Sequence, residues 1–320
     1  LPASIARSVL EPIAAAALAI EGVLGWPARL HARIGHPVGL FAALIGACER
    51  KLNRRDWPDA RRRAAGIGAT VLLVTLTLTV AALVEAAVRA LAGAWAWPLL
   101  ALLAWPAMAA RSLDDHVRPI RDALYKGDLP EARRAVAMIV GRDTAALDEA
   151  AVSRAAIESL AESFCDGVVA PLFWLLVLGL PGVWALKAIN TADSLIGHRE
   201  EPYRAYGWAA ARLDDLAMLV PARLSGVLLC LSGGGGWRTL ARDHARHASP
   251  NAGWPEAGMA GAMGVRLAGP ITYEGVLADK PWIGEDGADA TPRDLGRALS
   301  IYRRACVLTG VFAMGAAWLG

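Results

Sequence analysis

"ESLAESFCDG", residues 158–167, sets carboxylates at Glu158, Glu162 and Asp166 and runs straight into "GVVAPLFWLLVLGLPGVWAL", residues 167–186. Residues four apart stack on the same side of a helix, so the spacing predicts three acids along one face. Lipid is a poor solvent for carboxylates, and ionisable groups at membrane depth tend to be functional. Grouped carboxylates at this spacing suit Mg²⁺, a hard cation that takes oxygen ligands and often bridges substrate phosphates. A solvated surface is the bland alternative, and the adjoining apolar run argues against it.

Working outward, "GRDTAALDEAAVSRAAIESLAESFCDG" is alanine-rich and has no internal Pro or Gly. It predicts a helix beginning near Asp143 or Thr144, with Ile157, Leu160, Ala161 and Phe164 on its apolar face. "DLPEARRAVAMIV" predicts a short helix capped by Asp128, with an early proline where a missing N–H does no harm. Together these make residues 111–166 a helical cytoplasmic insert.

The remaining composition is that of a membrane protein. The 320 residues are 55% hydrophobic and the mean hydropathy is +0.37, too apolar for an ordinary soluble domain. Residues 64–84 and 90–110 are each long enough to span a bilayer and would form a hairpin through "EAAVR". Residues 167–186 are a third candidate, broken by Pro171, Gly179, Pro181 and Gly182 and hence kinked or re-entrant. Weaker candidates are residues 9–24, 216–231 and 305–320. The expected fold class is all-α: a polytopic integral membrane protein forming one domain over residues 1–320. Its polar motif loop covers residues 187–215, and a Gly/Pro-rich region of loops and short helices covers 232–304.

Residues 25–63 carry nine Lys/Arg against three acids, so the positive-inside rule puts that segment in the cytoplasm. The acids in the first apolar run, and the lack of a small-residue cleavage motif after it, predict no cleaved signal. Cys48, Cys165, Cys230 and Cys306 are scattered, supporting neither disulfide nor zinc. There is no basic tract interleaved with aromatics, so no nucleic-acid partner is expected. No GxxxxGK[ST] motif occurs, and "SGGGGW" lacks the lysine of a phosphate loop.

Other chemistry-bearing residues cluster beside apolar segments. "NTADSLIGH" supplies Asn190 and Asp193 on one helical face, with His198 past the helix end at Gly197. "RLDD" supplies Arg212, Asp214 and Asp215. Arg142, Asp143, Arg154, Lys187, Arg199 and Arg204 are the basic and polar groups nearest in sequence for a phosphate, which arginine grips with two parallel hydrogen bonds. His36 precedes a helix whose far end is strongly basic, with Pro37 in its first turn. "SLDDH" (Asp114, Asp115, His116) reads as an exposed cluster at a membrane boundary.

Taken in order, "HPVGLFAALIGACERKLNR", "SLDDHV", "MIVGRDTAALDEAAVSRAAIESLAESFCDGVVAPLFW", "KAINTADSLIGHREEPYRAYGWAAARLDDL", "PARLSG" and "SPNAGWPEAGMAGAMGVRLAGP" closely resemble the adenosylcobinamide-phosphate synthase family of cobalamin biosynthesis. The likeness covers residues 21–309. Two departures stand out: Trp26 between Gly25 and Pro27, where many members carry Gly-Asp-Pro, and Ser163 where many have Asn. The resemblance implies an integral ligase of the bacterial cytoplasmic (inner) membrane. It would join the free carboxylate of adenosylcobyric acid to (R)-1-amino-2-propanol or its O-phosphate, consuming ATP with Mg²⁺, at a site facing the cytoplasm. Within that reading Glu158, Glu162, Asp166 and Asp193 would hold Mg-ATP, and Asn190 and His198 would orient substrate. Arg142, Lys187 and Arg199 would bind phosphate, with Asp143, Arg204, Arg212, Asp214, Asp215, His36 and Asn251 completing the binding set. The partners implied are the corrinoid, aminopropanol phosphate and the lipid bilayer, with homo-oligomers or association with other enzymes of the pathway left open. The rival readings are a prenyltransferase, disfavoured because paired Asp motifs are missing, a non-catalytic membrane sensor, and a corrinoid transporter.

Overall fold

The computed structural model describes residues 12–273 and 276–319. It is predominantly helical, with two short antiparallel β ribbons, and its chain falls into two compact units, each assembled from separated stretches. Of the weak candidate span over residues 9–24, positions 9–11 lie outside the described residues, as does Gly320 of the span over 305–320.

The first unit takes residues 12–108, 170–218 and the end of the chain from Ala313. Its leading helices are α1 (Ile13–Leu24), α2 (Ala28–Ile34), α3 (Val38–Leu52), α4 (Asp59–Ala92) and α5 (Ala96–Ala104). The second unit begins with α6 (Ala110–Tyr125), α7 (Leu129–Ala137) and α8 (Glu149–Phe164). A single π-helical turn, Cys165–Val169, follows. The chain then enters α9 (Ala170–Ile196) and α10 (Trp208–Ala217) of the first unit. It completes the second with α11 (Leu219–Gly233), α12 (Trp237–Asp243), α13 (Gly253–Met263), the strands β1 (Leu267–Ala268), β2 (Ile271–Tyr273), β3 (Val276–Ala278) and β4 (Trp282–Ile283), and most of α14 (Pro292–Leu319). β1 pairs with β4, and β2 with β3.

Among the described residues, two helical runs contain stretches long and apolar enough to cross a membrane, Asp59–Tyr125 and Glu149–Ile196. The number rises to four if each of two bent helix pairs counts as one span. α4 shows how such a helix packs. Its buried stripe is Gly66, Thr70, Leu73, Thr77 and Ala81, while Val71, Leu72, Val80 and Leu83 are exposed. Small residues facing inward and large apolar ones outward is the pattern of helices associating in lipid. Leu73 joins Ile45, Ala188, Ala192, Ile196, Tyr206 and Ala210 in one core. Gly66 is needed there, since a Cβ on it would lie 1.8 Å from the Tyr206 carbonyl oxygen.

α4 also corrects the expected hairpin. "EAAVR" is not a turn: the helix runs through it to Ala92 and stops at Gly93, whose φ of 53° is left-handed. Glu85 instead caps another helix. α9 breaks at Gly179, where φ is 66°, and the freed N–H of Leu180 donates to Glu85 Oε2 at 2.9 Å. Arg89 holds the other carboxylate oxygen at 2.9 Å. Gly179 followed by Pro181 is thus a helix stop and restart, as the broken-segment reading of residues 167–186 expects.

In the second unit α7 begins as its sequence predicts, with the Asp128 side chain accepting from Glu131 N–H at 3.0 Å. α8 starts at Glu149 and not near Asp143, because Asp148 accepts the Ala151 N–H at 2.8 Å and is the stronger cap. Its expected apolar face is fully buried. The region 232–304 is more helical than expected. α14 is launched by "TPRD", where Asp294 Oδ2 accepts the Thr291 N–H at 2.9 Å, half of a capping box, with Pro292 as the first helical residue. α13 and α11 use glycine for close approach: a Cβ on Gly226 would lie 2.7 Å from the Trp254 carbonyl oxygen, and one on Gly258 the same distance from that of Gly226. Residues 187–215 are likewise two helix segments around a turn at 197–207, not a loop. Asp114, expected at an exposed boundary, is buried between Arg118 and Arg303, whose Nε donates at 2.7 Å.

Two glycines of α4 separate close approach from open surface. Gly66→Ala is expected to destabilise by about 1–3 kcal/mol through overpacking. Gly68→Ala, which meets nothing within 4 Å, is expected to gain about 0.5–1 kcal/mol from helix propensity. Thermal unfolding in mild detergent checks both, and equal effects would contradict the packing.

Candidate functional site

The acidic helix α8 lines a cavity of about 270 Å³ inside the second unit. Its walls come from "IVGR" after α7 (Ile139 to Arg142), from Glu158, Ser159 and Glu162 of α8, from His247 and Glu256, and from Ala268, Ile271 and Lys280. Ser159 Oγ pins the "IVGR" segment by donating to the Ile139 carbonyl at 2.9 Å.

Glu158 is buried and met by donors on both oxygens. Arg142 Nη2 donates to its Oε2 at 2.5 Å and the Ala268 N–H to its Oε1 at 2.8 Å. Arg154 Nε lies 3.8 Å from the same Oε1. Ala268 adopts φ 58° to present that N–H, a conformation costing an L-residue about 1–2 kcal/mol. Such strain persists where the surroundings impose it, commonly at functional sites. Glu162 is exposed, and its exposure is to the cavity.

Glu256 is 4% exposed, and its Oε2 has no hydrogen-bond partner among the described residues. Burial foremost, then the charges of Glu158 and Glu162, push its carboxyl well above the usual range, against the pull of Lys280 and Arg142. His247 Nε2 lies 3.9 Å from Glu256 Oε1, and His247 Nδ1 accepts the Ser249 N–H at 3.0 Å. Burial and the Lys280 charge depress the imidazole. One cavity therefore holds a carboxylate met by arginine and a backbone N–H and another that burial pushes above its ordinary range.

Of the sequence-predicted residues, this cavity brings together Arg142, Glu158 and Glu162. Asp166 and Asp143 are exposed and line no part of it. Asp166 falls in the π turn, whose wider winding takes it off the register of Glu158 and Glu162. Asn251 is buried nearby in sequence, accepting from Arg223 Nη1 at 3.2 Å.

The others lie in the first unit, where several form a second polar cluster. Asn190 Nδ2 donates to Asp214 Oδ1 at 2.5 Å. Asp193, Asp215 and Lys187 act on Asp214 electrostatically, His198 acts on Asp193, and Lys187 acts on His36. Arg212 pairs with Asp215 at 3.0 Å. Arg204 pairs with Asp59 and Glu201 on the surface, and Arg199 is exposed.

The Mg²⁺ ligands read from the sequence are thus divided between the units. Glu158 has its oxygens committed to two arginines and a backbone N–H, and Asp193 belongs to the other cluster. Among the described residues no three His, Cys, Asp or Glu side chains converge as a metal cage. Glu162 fits a cation brought in with phosphate groups, for which one or two carboxylates are enough.

Sequence reading missed Glu256, His247 and Lys280. Glu256 had a signal: it is the one charge in the helix "GWPEAGMAGAM". His247 and Lys280 had none, since only the folded chain carries them to α8.

Helices long enough to cross a membrane, together with a cavity of mixed acid and base in the second unit, define a membrane-type helical protein with a polar site. The chain belongs to the CobD/Cbib protein family, which it matches over residues 14–302. It is 48% identical to the cobalamin biosynthesis protein CobD of Rhodobacter capsulatus over 90% of this chain and 91% of that one. It is 45% identical to the protein of that name from a Sinorhizobium species, over 96% and 98%, and 42% to that of Brucella anthropi, over 89% and 90%. No solved structure matches it. A role in cobalamin biosynthesis follows from this membership.

The electrostatics set a pH dependence. The folded chain keeps the Glu256 proton to higher pH than the unfolded chain does, so this residue erodes stability as pH rises above the ordinary glutamate range. Glu256→Gln removes the erosion. The melting temperature of the variant is expected to exceed that of the parent by more at pH 8 than at pH 5, and a gap independent of pH would contradict the assignment.

Proposed function

We propose that this chain is an ATP-dependent amide ligase that joins the carboxylate of adenosylcobyric acid to (R)-1-amino-2-propanol or its O-phosphate. The observation that carries the reading is the cavity beside α8. It combines cationic groups for phosphate, Arg142 and Lys280, with carboxylates in three different environments, Glu158, Glu162 and Glu256. Membership of the CobD/Cbib family supports the pathway.

Amide formation from a free carboxylate is uphill in water, so the acid must be activated. Transfer of the terminal phosphoryl group of ATP to the carboxylate gives an acyl phosphate, from which the amine displaces inorganic phosphate. Mg²⁺, when bound with the nucleotide, neutralises phosphate charge. Glu162 is the carboxylate open to that cation. Arg142 and Lys280 grip phosphate, and Glu158 keeps the Arg142 guanidinium aimed along the cavity wall. The Asn190–Asp214 cluster of the first unit, with Asp193, Lys187 and His36, binds polar groups of a substrate. The basic segment of residues 25–63 puts its own side in the cytoplasm by the positive-inside rule. The enzyme works in the bacterial inner membrane, open to association with itself or with neighbouring enzymes of the pathway.

The test is a reaction in mild detergent with adenosylcobyric acid, aminopropanol phosphate, Mg²⁺ and ATP, with corrinoids followed by chromatography and mass. An amide product requiring both ATP and the amine is expected, and Glu162→Ala with Asp193→Ala is expected to lower turnover by at least about 10²-fold. Full turnover by that double variant would sink the residue assignment. Corrinoid binding with neither product nor ATP loss would replace the ligase with a sensor or transporter.

A further inference from the structure

Glu256 is a carboxylate in want of a donor. The other acids of its cavity are accounted for, Glu158 by Arg142, Arg154 and the Ala268 N–H, and Glu162 by its opening to the cavity. Glu256 is almost wholly buried, and its Oε2 has no hydrogen-bond partner among the described residues. A buried polar atom without a partner costs free energy unless something satisfies it, and each such atom in a native fold calls for an explanation.

His247 shows which kind of group is wanted. Its Nδ1 accepts from the Ser249 N–H, so the neutral ring carries its own proton on Nε2, 3.9 Å from Glu256 Oε1. That is too long for a hydrogen bond. The imidazole faces Glu256 without satisfying the carboxylate. A primary ammonium has three N–H donors and one positive charge and so matches what Glu256 lacks. Arg142 and Lys280 in the same cavity provide for the anionic end of a small molecule whose other end is an ammonium.

We propose that Glu256 receives the primary ammonium of the amine substrate and takes its proton as the amide forms. The inference rests on the ligase reading above and adds to it the residue that handles the amine. The charge of the bound ammonium offsets the burial that otherwise favours the acid form of Glu256, so the carboxylate is ionised when the amine is seated. In the step, the ammonium gives one proton to a Glu256 carboxylate oxygen and its nitrogen lone pair attacks the acyl-phosphate carbon. The new C–N bond forms, the C–O bond to phosphate breaks, and inorganic phosphate leaves with that electron pair. The second amine proton is lost as the tetrahedral centre collapses, and departing phosphate accepts it. Glu256 is the catalytic residue.

Two probes separate this role from a structural one. Equilibrium titration compares aminopropanol phosphate with propanediol phosphate, which differs in lacking the ammonium. The wild-type chain is expected to prefer the amine by at least about tenfold, and Glu256→Gln is expected to abolish the preference while binding the diol as before. Turnover is then compared with an aminooxy nucleophile, which is uncharged at neutral pH and needs no deprotonation before attack. Glu256→Gln is expected to lose about 10²–10⁴-fold in kcat/KM with the amine, yet stay within a few-fold of wild type with the aminooxy compound. Equal losses on both nucleophiles, or none on either, would overturn the proposal. If the wild-type chain forms no amide at all, the ligase reading fails and the titration alone decides whether Glu256 is an ammonium site.

Discussion

The contact of buried Glu158 with Arg142 is the constraint around which the second unit is organised. A carboxylate this buried is costly unless cations and hydrogen bonds surround it. Meeting that need fixes the "IVGR" segment at one oxygen and the Ala268 backbone at the other. Ala268 accepts a left-handed conformation in consequence. After burial, the Glu158 charge is also one of the causes that push the Glu256 carboxyl above its ordinary range. A single interaction thus shapes the cavity wall and bears on its neighbour.

Packing in both units follows from glycine placed where backbones meet. Gly66 of α4 lies against Tyr206, and Gly226 and Gly258 let α11 and α13 touch. The second contact seats α13, and with it Glu256. The glycines of "GWPEAGMAGAM" suggest a loop when read for local propensity, because glycine weakens an isolated helix by about 1 kcal/mol relative to alanine. In the folded chain the same residues permit an approach that a methyl group would block.

Much of the architecture was legible in the sequence, and the failures have identifiable causes. The apolar face of α8, the Asp128 cap, the break in residues 167–186 and the helical placement of Asn190 and Asp193 all follow from local pattern. The start of α8 was misplaced because Asp143 and Asp148 are both acceptable caps and only geometry chooses between them. "EAAVR" looked like a turn because its charges interrupt an apolar run, whereas Glu85 is answered by an N–H far along the chain. The site was half legible. Spacing found Glu158 and Glu162 but carried the register on to Asp166 across a π turn that no periodicity announces. It could not bring in His247, Glu256 or Lys280, whose placement beside α8 is tertiary.

Glu85 and Leu180 are 95 positions apart, which matters for the order in which the protein is made. The α4 segment leaves the ribosome long before the amide it will cap exists, so its carboxylate would have to enter an apolar surrounding without that partner. Arg89, one turn away and paired with it at 2.9 Å, supplies a compensating charge from within the same helix. The broken helix is completed by a carboxylate whose charge Arg89 offsets from one turn away, so the cap and its compensating cation come from one continuous stretch of chain.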